Sequence, residues 1–428
     1  MASVNDLFIV GIGVSAGGIE ALEGLFRPMP SDTGMAFVVV AHLAPNKASF
    51  LDEIVGRFTA MPVARPSDGV EVEANHVYVI APDTTLTLKG SRLRVEPQDP
   101  AGQRATNRID RFFNSLAEHQ GEHAIGVVLS GGGSDGTVGI KAIKEQGGLT
   151  VAQGTDHSMP RHGGMPSSAI ATGLVDLVAP VEELAAKLVA YVDSFRSTGH
   201  LTEPKRDRPA DDAAGDARRQ ICAILRDQVG HDFGGYKEKT FLRRVQRRMQ
   251  VVQLAEVAAY IERLRQDPDE VTLLFRDLLI GVTNFFRDQE AFDALAALVV
   301  PRLFEGKGEG GAVRVWVPGC ATGEEVYSIA ILLREHLATL RATVKLQVFG
   351  TDIDEAALAV ARAARYPAAA FEGGMGQRLR RFFTEDNGTY VVAKEVRDTC
   401  IFSAHSVVRD PPFSRIDLVS CRNLLIYT

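Results

Sequence analysis

The fold of the first half is decided by residues 7–18, LFIVGIGVSAGG. The run from Leu7 to Val10 is apolar at every position, which is typical of a strand buried in a parallel sheet. The residues from Ile19 onward have helical apolar spacing, so the glycine-rich turn between them joins a central strand to a helix. Open α/β sheets place their chemistry at such turns, because the helix amino terminus offers free N–H groups and a partial positive charge. We therefore expect an α/β fold with Ser15 at a functional edge.

Three interpretations of this turn remain open. The glycines Gly11, Gly13 and Gly17 are spaced one residue too widely for a dinucleotide-binding fingerprint. Ser15 on a strand-to-helix turn also resembles a nucleophile elbow, although the G-x-S-x-G pattern is met only loosely. A glycine turn without chemistry is the third interpretation.

Composition narrows the class of protein. A chain of 428 residues exceeds a single core and predicts two or three domains. The net charge of −7 gives no general reason to expect nucleic acid. The four cysteines are far apart and form no C-x-x-C pair, so neither a disulfide framework nor a metal site is expected. Without an apolar run of membrane-spanning length or a signal peptide, the sequence predicts a cytoplasmic protein with no membrane insertion.

Two more strand ends carry polar side chains. The apolar run MAFVVVAHL ends in His42, and the run from Ala124 to Leu129 leads into a glycine loop that carries Asp135. Taken singly, His42 could be a structural histidine and Asp135 a helix cap. A serine, a histidine and an aspartate on one sheet edge would supply a nucleophile, a general base and a group that orients the imidazole. Backbone N–H groups of the glycine loop could bind a developing oxyanion.

Four ordered motifs across Asp6 to Ser194 resemble the CheB-type chemotaxis protein-glutamate methylesterase domain: GIGVSAGG, VVVAHLAP, LSGGGSDGTVGIKAIKEQGG and GGMPSSAIATGLVD. The resemblance implies hydrolysis of glutamate methyl esters on chemoreceptors, often with deamidation of receptor glutamines. It implies a triad of Ser15, His42 and Asp135, and no cofactor.

The chain departs from that family at two positions. Gly132 stands where a methionine commonly gives its backbone N–H to the oxyanion, and Ala16 stands where threonine is common. The receiver domain that usually precedes the esterase is missing, so control by phosphorylation within the chain is not expected.

A charged, proline-containing segment at 195–219 predicts a linker, and helical spacing follows it from Gln220 to Ala297. Within this region Arg243, Arg244, Arg247 and Arg248 recur on one side of a helix. This basic face is interpreted either as a solvated surface or as a docking surface for an acidic partner other than nucleic acid.

A second strand-turn-helix unit follows in VRVWVPGCATGEEVYSIAILL. No lysine follows the turn as in a P-loop, and Glu324 and Glu325 at the helix start would repel phosphate. The next strand ends in Asp352, where an acidic side chain typically meets ribose hydroxyls. S-adenosylmethionine meets these demands, since it has a ribose, no phosphate and a positive charge.

The motifs GVTNFFRD, GCATGEEVYSIA, FGTDID and SCRNLLIYT resemble the CheR-type chemotaxis receptor methyltransferase family over Ile221 to Thr428. The resemblance places Thr283, Arg287 and Tyr427 at the methyl-transfer site. It lines the S-adenosyl-L-methionine pocket with Glu324, Asp352, Val407, Arg422 and Asn423. Gly281 and Ser406 replace asparagines that are common in the family, and each removes one polar contact.

The resemblance also implies that residues 365–397 form a small β subdomain that can engage receptor tails. The dipeptide Asn387-Gly388 within this segment is a hairpin signal. The basic helix would then face the acidic methylation region of the receptor. The chain stops after a fourth strand at 417–420, whereas class I methyltransferase sheets have seven strands. A truncated sheet with an exposed edge is therefore expected.

The expected organisation is a Rossmann-like parallel-sheet methylesterase at 1–194, a linker at 195–219, an all-helical subdomain at 220–300 and a partial class I methyltransferase sheet at 301–428. The expected function is a chemotaxis signalling enzyme that acts on chemoreceptors, with sensor kinase modules as further candidate partners. The alternative is a regulatory scaffold that binds receptor or S-adenosylmethionine with little turnover. A nicotinamide enzyme is a third hypothesis.

Overall fold

The chain folds as two compact units. This computed structural model describes residues 7–42, 49–97, 107–154, 160–197, 210–279, 281, 283–308, 310–340, 343–371, 375–386 and 389–425. One unit contains the chain up to Ile224 together with Leu242–Glu270, and the other contains Leu225–Phe241 and Val271–Thr428. The helical region expected at 220–300 is thus divided between the units. No helix in the described part of the chain is both long and apolar enough to cross a lipid bilayer.

The first unit is built on a seven-stranded parallel sheet with the order β3-β4-β2-β1-β7-β8-β9. Its strands are β1 (Phe8–Val14), β2 (Met35–Ala41), β3 (Val63–Ala64), β4 (Val77–Val79), β7 (Ala124–Val128), β8 (Leu149–Gln153) and β9 (Leu177–Ala179), and an antiparallel pair, β5 (Thr84–Lys89) and β6 (Arg92–Pro97), lies apart from that sheet. The helices between them are α1 (Gly18–Phe26), α2 (Leu51–Val55), α3 (Arg108–Gln120), α4 (Thr137–Gln146), α5 (Gly164–Ala171) and α6 (Val181–Ser197). Strands β1, β2 and β7 are buried at every position, which confirms the predicted α/β fold.

Four further helices follow: α7 (Ala210–Val229), α8 (Glu238–Val251), α9 (Val257–Gln266) and α10 (Pro268–Leu279). Helices α6 and α7 extend into the segment predicted as a linker at 195–219, and residues 198–209 lie outside the described part. The interpretation of the basic side of α8 as a solvated or partner-binding face is wrong for three of its four arginines, and only Arg243 is exposed among these four. Arg244, Arg247 and Arg248 are 2–4% exposed, and within the first unit they bind backbone carbonyls and carboxylates.

The second unit contains a parallel sheet of four strands in the order β15-β11-β10-β16. Its strands are β10 (Ala312–Pro318), β11 (Lys345–Asp352), β15 (Cys400–Ala404) and β16 (Leu418–Val419), and its helices are α11 (Gln289–Ala294), α12 (Val300–Phe304), α13 (Glu324–Leu337), α14 (Glu355–Ala363), α15 (Gly376–Phe382) and α16 (Lys394–Arg397). The antiparallel strands β12 (Arg365–Pro367), β13 (Phe383–Asp386) and β14 (Thr389–Val392) form a small separate sheet within the segment 365–397. The hairpin signal at 387–388 lies outside the described residues.

Helices α3 and α4 approach each other so closely that only glycine fits between them. A Cβ atom on Gly139 of α4 would lie 2.2 Å from the Cβ of Phe113 in α3, and the backbone N–H of Gly139 donates to the carboxylate of Asp110 at 2.7 Å. This contact fixes α4 against the first turn of α3. That first turn also contributes to the candidate site described below.

Gly139→Ala should therefore lower the free energy of unfolding by about 1–3 kcal/mol, because the added methyl group overpacks the contact with Phe113. Helix propensity alone predicts the opposite, a gain of about 1 kcal/mol from replacing a helical glycine. Gly215 of α7 is the matched control, since the nearest atom to an added Cβ there is a guanidinium nitrogen of Arg219 at 3.6 Å. Urea unfolding measures the change in the free energy of unfolding for Gly139→Ala and for Gly215→Ala. Equal changes in the two variants would contradict the close approach of α3 and α4.

Candidate functional sites

The first candidate site lies where three neighbouring parallel strands end. Ser15 follows β1, His42 follows β2, and the glycine loop carrying Asp135 follows β7. Backbone bonds hold these ends in register: the N–H of His42 donates to Val14 at 3.2 Å, and the N–H of Ser15 donates to Ser130 at 3.0 Å. The three predicted side chains are therefore brought to one edge of the sheet.

The ring of His42 bridges the other two side chains. Its Nδ1 lies 3.3 Å from Ser15 Oγ, and its Nε2 lies 2.7 Å from Asp135 Oδ2. A carboxylate only accepts hydrogen bonds, so we assign the ring proton to Nε2, which leaves Nδ1 free to accept the serine proton. The His42 side chain is 28% exposed and that of Asp135 is 4% exposed. The arrangement suits a general base that solvent and substrate can reach.

The first turn of α3 holds the carboxylate of Asp135 in place. The N–H of Ile109 donates to Oδ2 at 3.0 Å, and the N–H groups of Asp110 and Gly136 donate to Oδ1 at 2.9 and 2.8 Å. These three backbone donors fix the orientation of the Asp135 carboxyl group, whose Oδ2 faces the imidazole of His42. The alternative prediction, that Asp135 caps α4, is wrong, because Gly136 is the N-cap residue of α4 and no side chain among the described residues caps the amino terminus of that helix.

A buried cation adds to this electrostatic environment. Arg108 is 4% exposed at the start of α3. Burial lowers the pKa of its guanidinium, and the negative charges of Asp83 and Asp135 partly offset that effect. The sequence reasoning gave α3 no part in the site, because backbone donors leave no signature in side-chain patterns.

The glycine loop after β7 lies directly against Ser15. A Cβ atom on Gly131 would lie 2.9 Å from Ser15 Cβ, and the N–H of Gly131 already donates to the carbonyl of His162 at 2.8 Å. A Cβ atom on Gly132 would meet nothing within 4 Å, so this position faces open space. Ser15 has a negative φ, so the strain of a nucleophile elbow is not present, while Gly17 supplies the left-handed residue at φ 73°. The turn is thus shaped by Gly17 rather than by the serine.

The second candidate site is a cavity of about 520 Å³ within the second unit. Six residues predicted from the sequence line it: Thr283, Arg287, Asp352, Val407, Arg422 and Asn423. Gly281 and Ser406, the two positions that depart from the family pattern, also lie on its wall. Tyr427 lies outside the described residues. The volume is within the range of about 300–1,000 Å³ that is usual for ligand pockets.

Glu325 lines this cavity, whereas the predicted Glu324 is not among the residues of its wall. The side chain of Glu324 is 1% exposed and accepts a hydrogen bond from the Thr322 hydroxyl at 2.6 Å. The carboxylate of Glu325 accepts a hydrogen bond from the Ser420 hydroxyl at 2.6 Å. Burial raises the pKa of Glu325, and Ser420 and Arg422 act in the opposite direction. The adjacent glutamates therefore have different roles, which their shared motif could not separate.

Asp352 ends β11 at the cavity wall. Its Oδ2 accepts the N–H of Ala321 at 2.7 Å, and its Oδ1 accepts the N–H of Asp354 at 3.0 Å. Burial raises the pKa of this carboxyl, and these two N–H groups partly offset that effect. Each carboxylate oxygen has a further lone pair, which can accept a hydrogen bond from a ribose hydroxyl. These features, with no lysine among the described residues of the cavity wall, fit S-adenosylmethionine.

Sequence reasoning missed one side of this cavity. Arg226, His231, Phe233 and Tyr236 lie on its wall, and His231 stacks on Phe275 with ring centroids 5.6 Å apart. Burial and the neighbouring Arg409 lower the pKa of His231, which favours the neutral imidazole. The sequence analysis assigned these residues only helical spacing, and that spacing does not indicate which of them face a cavity.

Three family models match successive parts of the chain. The CheB methylesterase model covers residues 10–188, the model of the all-alpha domain of CheR methyltransferase covers 216–279, and that of the CheR methyltransferase SAM binding domain covers 281–428.

Relatives match both halves of the chain. The "Putative methyltransferase Cher3" of Pseudomonas putida is 34% identical over 217 residues, which are 49% of this chain and 77% of that protein. A protein-glutamate methylesterase/protein-glutamine glutaminase of Burkholderia orbicola is 35% identical over 184 residues, 43% of this chain and 54% of that protein. An uncharacterised 104.1 kDa protein of Rhodobacter capsulatus is 37% identical over 391 residues, and the match spans 87% of this chain and 40% of that protein.

Among solved structures, the CheB methylesterase catalytic domain of Thermotoga maritima is similar to this chain. The match has 28% identity, a TM-score of 0.39, and covers 42% of this chain and 97% of that one.

Proposed function

Because this chain belongs to the CheR methyltransferase family and carries a CheB methylesterase domain ahead of it, we propose that its first unit hydrolyses glutamate methyl esters on chemoreceptors. We propose Ser15 as the nucleophile, His42 as the general base and Asp135 as the group that orients the imidazole. The observation that carries this proposal is the bridging position of the His42 ring, 3.3 Å from Ser15 Oγ and 2.7 Å from Asp135 Oδ2.

In the first step Ser15 Oγ attacks the ester carbonyl while His42 Nδ1 accepts its proton. The imidazolium, stabilised by Asp135, then protonates the departing methoxide, which leaves as methanol. Water, activated by the same nitrogen, attacks the acyl-serine and releases the glutamate carboxylate. The N–H groups of Gly132 and Ala16 are the proposed donors to the tetrahedral oxyanion, because Gly131 already donates to His162.

Deamidation of receptor glutamines would use the same groups, since ammonia replaces methanol as the leaving group. Chemoreceptors and sensor kinase modules are the proposed partners. The name of one relative, protein-glutamate methylesterase/protein-glutamine glutaminase, supports glutamate esters and glutamines as the substrates of this unit.

We propose that the second unit transfers a methyl group to receptor glutamates, which is the opposite reaction. Asp352 would bind the ribose hydroxyls of S-adenosylmethionine, and Val407, Arg422 and Asn423 would line the rest of its site. The cofactor supplies an electrophilic methyl group on a sulfonium. Thr283 and Arg287 would orient the accepting glutamate carboxylate, and Tyr427, which lies outside the described residues, is proposed to take part in the same step.

Labelling with a fluorophosphonate separates the esterase from a regulatory scaffold. An activated serine becomes covalently phosphonylated, so mass spectrometry of the treated chain should place the adduct on Ser15. A His42→Gln variant should label much more slowly, because its side chain cannot act as the base. An unlabelled Ser15 in the folded wild-type chain would contradict the proposed triad.

Asp352→Asn should weaken S-adenosylmethionine binding by at least about tenfold, since the amide loses a charge-assisted hydrogen bond to the ribose. Isothermal titration measures this, with Asp293→Asn as the control on an exposed residue of α11 away from the cavity wall. Burial raises the pKa of Asp352 above the usual aspartate pKa of about 3.9. As the pH is lowered, the affinity of the wild type for S-adenosylmethionine should therefore begin to fall before the pH reaches that value. Equal affinities in Asp352→Asn and Asp293→Asn would contradict the assignment.

A further inference from the structure

The basic side of α8 is an internal surface of the first unit. The side chains of Arg244, Arg247 and Arg248 are 2%, 4% and 3% exposed, whereas their neighbour Arg243 is exposed. Guanidinium groups are rarely buried without matched acceptors, so their partners show what this helix does.

Two of these arginines bind the carboxyl end of α4. Arg244 donates at 3.1–3.4 Å and Arg247 at 2.8–3.1 Å to carbonyl oxygens there, those of Lys144, Glu145, Gly147 and Gly148. The last carbonyls of a helix have no partner within the helix, and their partial negative charge favours a cation. The guanidinium groups therefore act as an external cap on α4.

A buried carboxylate strengthens this attachment. Asp176 accepts hydrogen bonds from Arg247, from Lys144 Nζ at 2.6 Å and from the Thr150 hydroxyl at 2.7 Å. Its side chain is fully buried. Arg248 lies 3.9 Å from Asp176 and forms two hydrogen bonds with Glu270, at 3.0 and 2.7 Å. The position of α8 is thus fixed by charge as well as by shape.

The other end of α4 begins at the active-site loop. Gly136, the residue before α4, donates to Asp135 Oδ1 at 2.8 Å. Asp110 accepts the N–H of Gly139 at 2.7 Å and gives its own N–H to Asp135 at 2.9 Å. The ten residues of α4 span about 15 Å. One rigid helix therefore has the arginine cap at one end and the orienting carboxylate of the triad at the other.

We propose that Arg247 is a positioning residue for the esterase, acting through α4 on Asp135, so that the helix α8 adjusts ester hydrolysis. This inference rests on the proposed triad. Since α8 lies in the segment matched by the all-alpha domain of CheR methyltransferase, a ligand that moves α8 would change esterase activity in the same chain.

The test compares Arg247→Met with Arg243→Met in the full chain. Methionine keeps most of the side-chain length and removes the guanidinium, and Arg243 is the exposed control on the same helix. The readouts are hydrolysis of p-nitrophenyl acetate from pH 5 to 9 and the rate of fluorophosphonate labelling of Ser15. We expect kcat of Arg247→Met to fall about 2- to 30-fold with little change in KM, the range of couplings carried by packed networks. Arg243→Met should match the wild type.

The pH profile separates positioning from general loss of folded protein. A loosened Asp135 stabilises the His42 imidazolium less, so the acid limb of kcat/KM should move to lower pH in Arg247→Met. Unfolding of part of the sample would lower the amplitude and leave the midpoint unchanged. Arg247→Lys keeps a positive charge near Asp176 and should recover part of kcat.

Arg244→Met is the second variant if Arg247→Met does not fold, because Arg244 donates to two carbonyl oxygens at the end of α4 and has no hydrogen bond to Asp176 among the described contacts. It should show a smaller change of the same sign. A folded Arg247→Met or Arg244→Met with wild-type kcat and an unshifted acid limb would overturn the inference while leaving the esterase intact. A wild-type chain that neither hydrolyses the ester nor labels would contradict the proposed function itself, and this inference with it.

Discussion

Ser15→Ala should lower kcat for ester hydrolysis by a factor on the order of 10⁴ or more, because it removes the atom that forms the acyl intermediate. Among the described residues, the Oγ of Ser15 forms no side-chain hydrogen bond other than its contact with His42 at 3.3 Å. The fold should therefore be unaffected. Methanol release from a methylated receptor peptide, followed by gas chromatography, measures the activity, and circular dichroism checks the fold.

Ser134→Ala is the matched control, since Ser134 lies in the glycine loop after β7 and has no hydrogen bond to His42. It should retain most of the wild-type rate. The residual rate of Ser15→Ala should come from substrate binding and the oxyanion donors alone. In other triad enzymes these two effects keep the rate above that of the uncatalysed reaction. Methanol release by Ser15→Ala at the rate of Ser134→Ala would remove Ser15 from the mechanism.

The sequence was sufficient to predict the edge where the side chains of Ser15, His42 and Asp135 meet, because apolar strands followed by glycine turns have a strong pattern. Ser15, His42 and Asp135 each follow such a strand, and adjacent parallel strands place their carboxyl ends together. The support of Asp135 by the first turn of α3 could not be predicted in this way. Its donors are backbone N–H groups of Ile109 and Asp110, and any residue type supplies those.

The basic helix shows a different limit of sequence reasoning. Spacing placed four arginines on one side of α8, whereas the structure buries Arg244, Arg247 and Arg248 and leaves Arg243 exposed, because periodicity does not show what covers a helix. Arginines usually indicate solvent, and here their partner Asp176 lies 71 residues before Arg247 in the chain. Four of the other acceptors are carbonyl oxygens, which carry no sequence signal. The same limit applies to Glu324 and Glu325, where only the structure shows which one reaches the cavity.

Asp176→Asn should lower the free energy of unfolding of the first unit by about 3–5 kcal/mol, the cost typical of removing one partner from a buried ion pair. The amide would leave Lys144 and Arg247 beside a neutral group at a position that is fully buried. Asp193→Asn on the exposed face of α6 is the control and should change stability by less than about 0.5 kcal/mol. Urea unfolding at pH 7 measures both variants.

The pH dependence gives this prediction a second, independent test. Burial by itself would raise the pKa of Asp176, but the charges of Arg247 and Lys144 outweigh it and hold the pKa well below its usual range. The folded state therefore binds fewer protons than the unfolded state, whose aspartate pKa is about 3.9. The stability difference between wild type and Asp176→Asn should be complete above that pH and shrink only as the pH falls further toward the folded pKa. A difference that already disappears between pH 7 and pH 5, or an Asp176→Asn variant as stable as Asp193→Asn, would show that this carboxylate does not hold α8 through its charge.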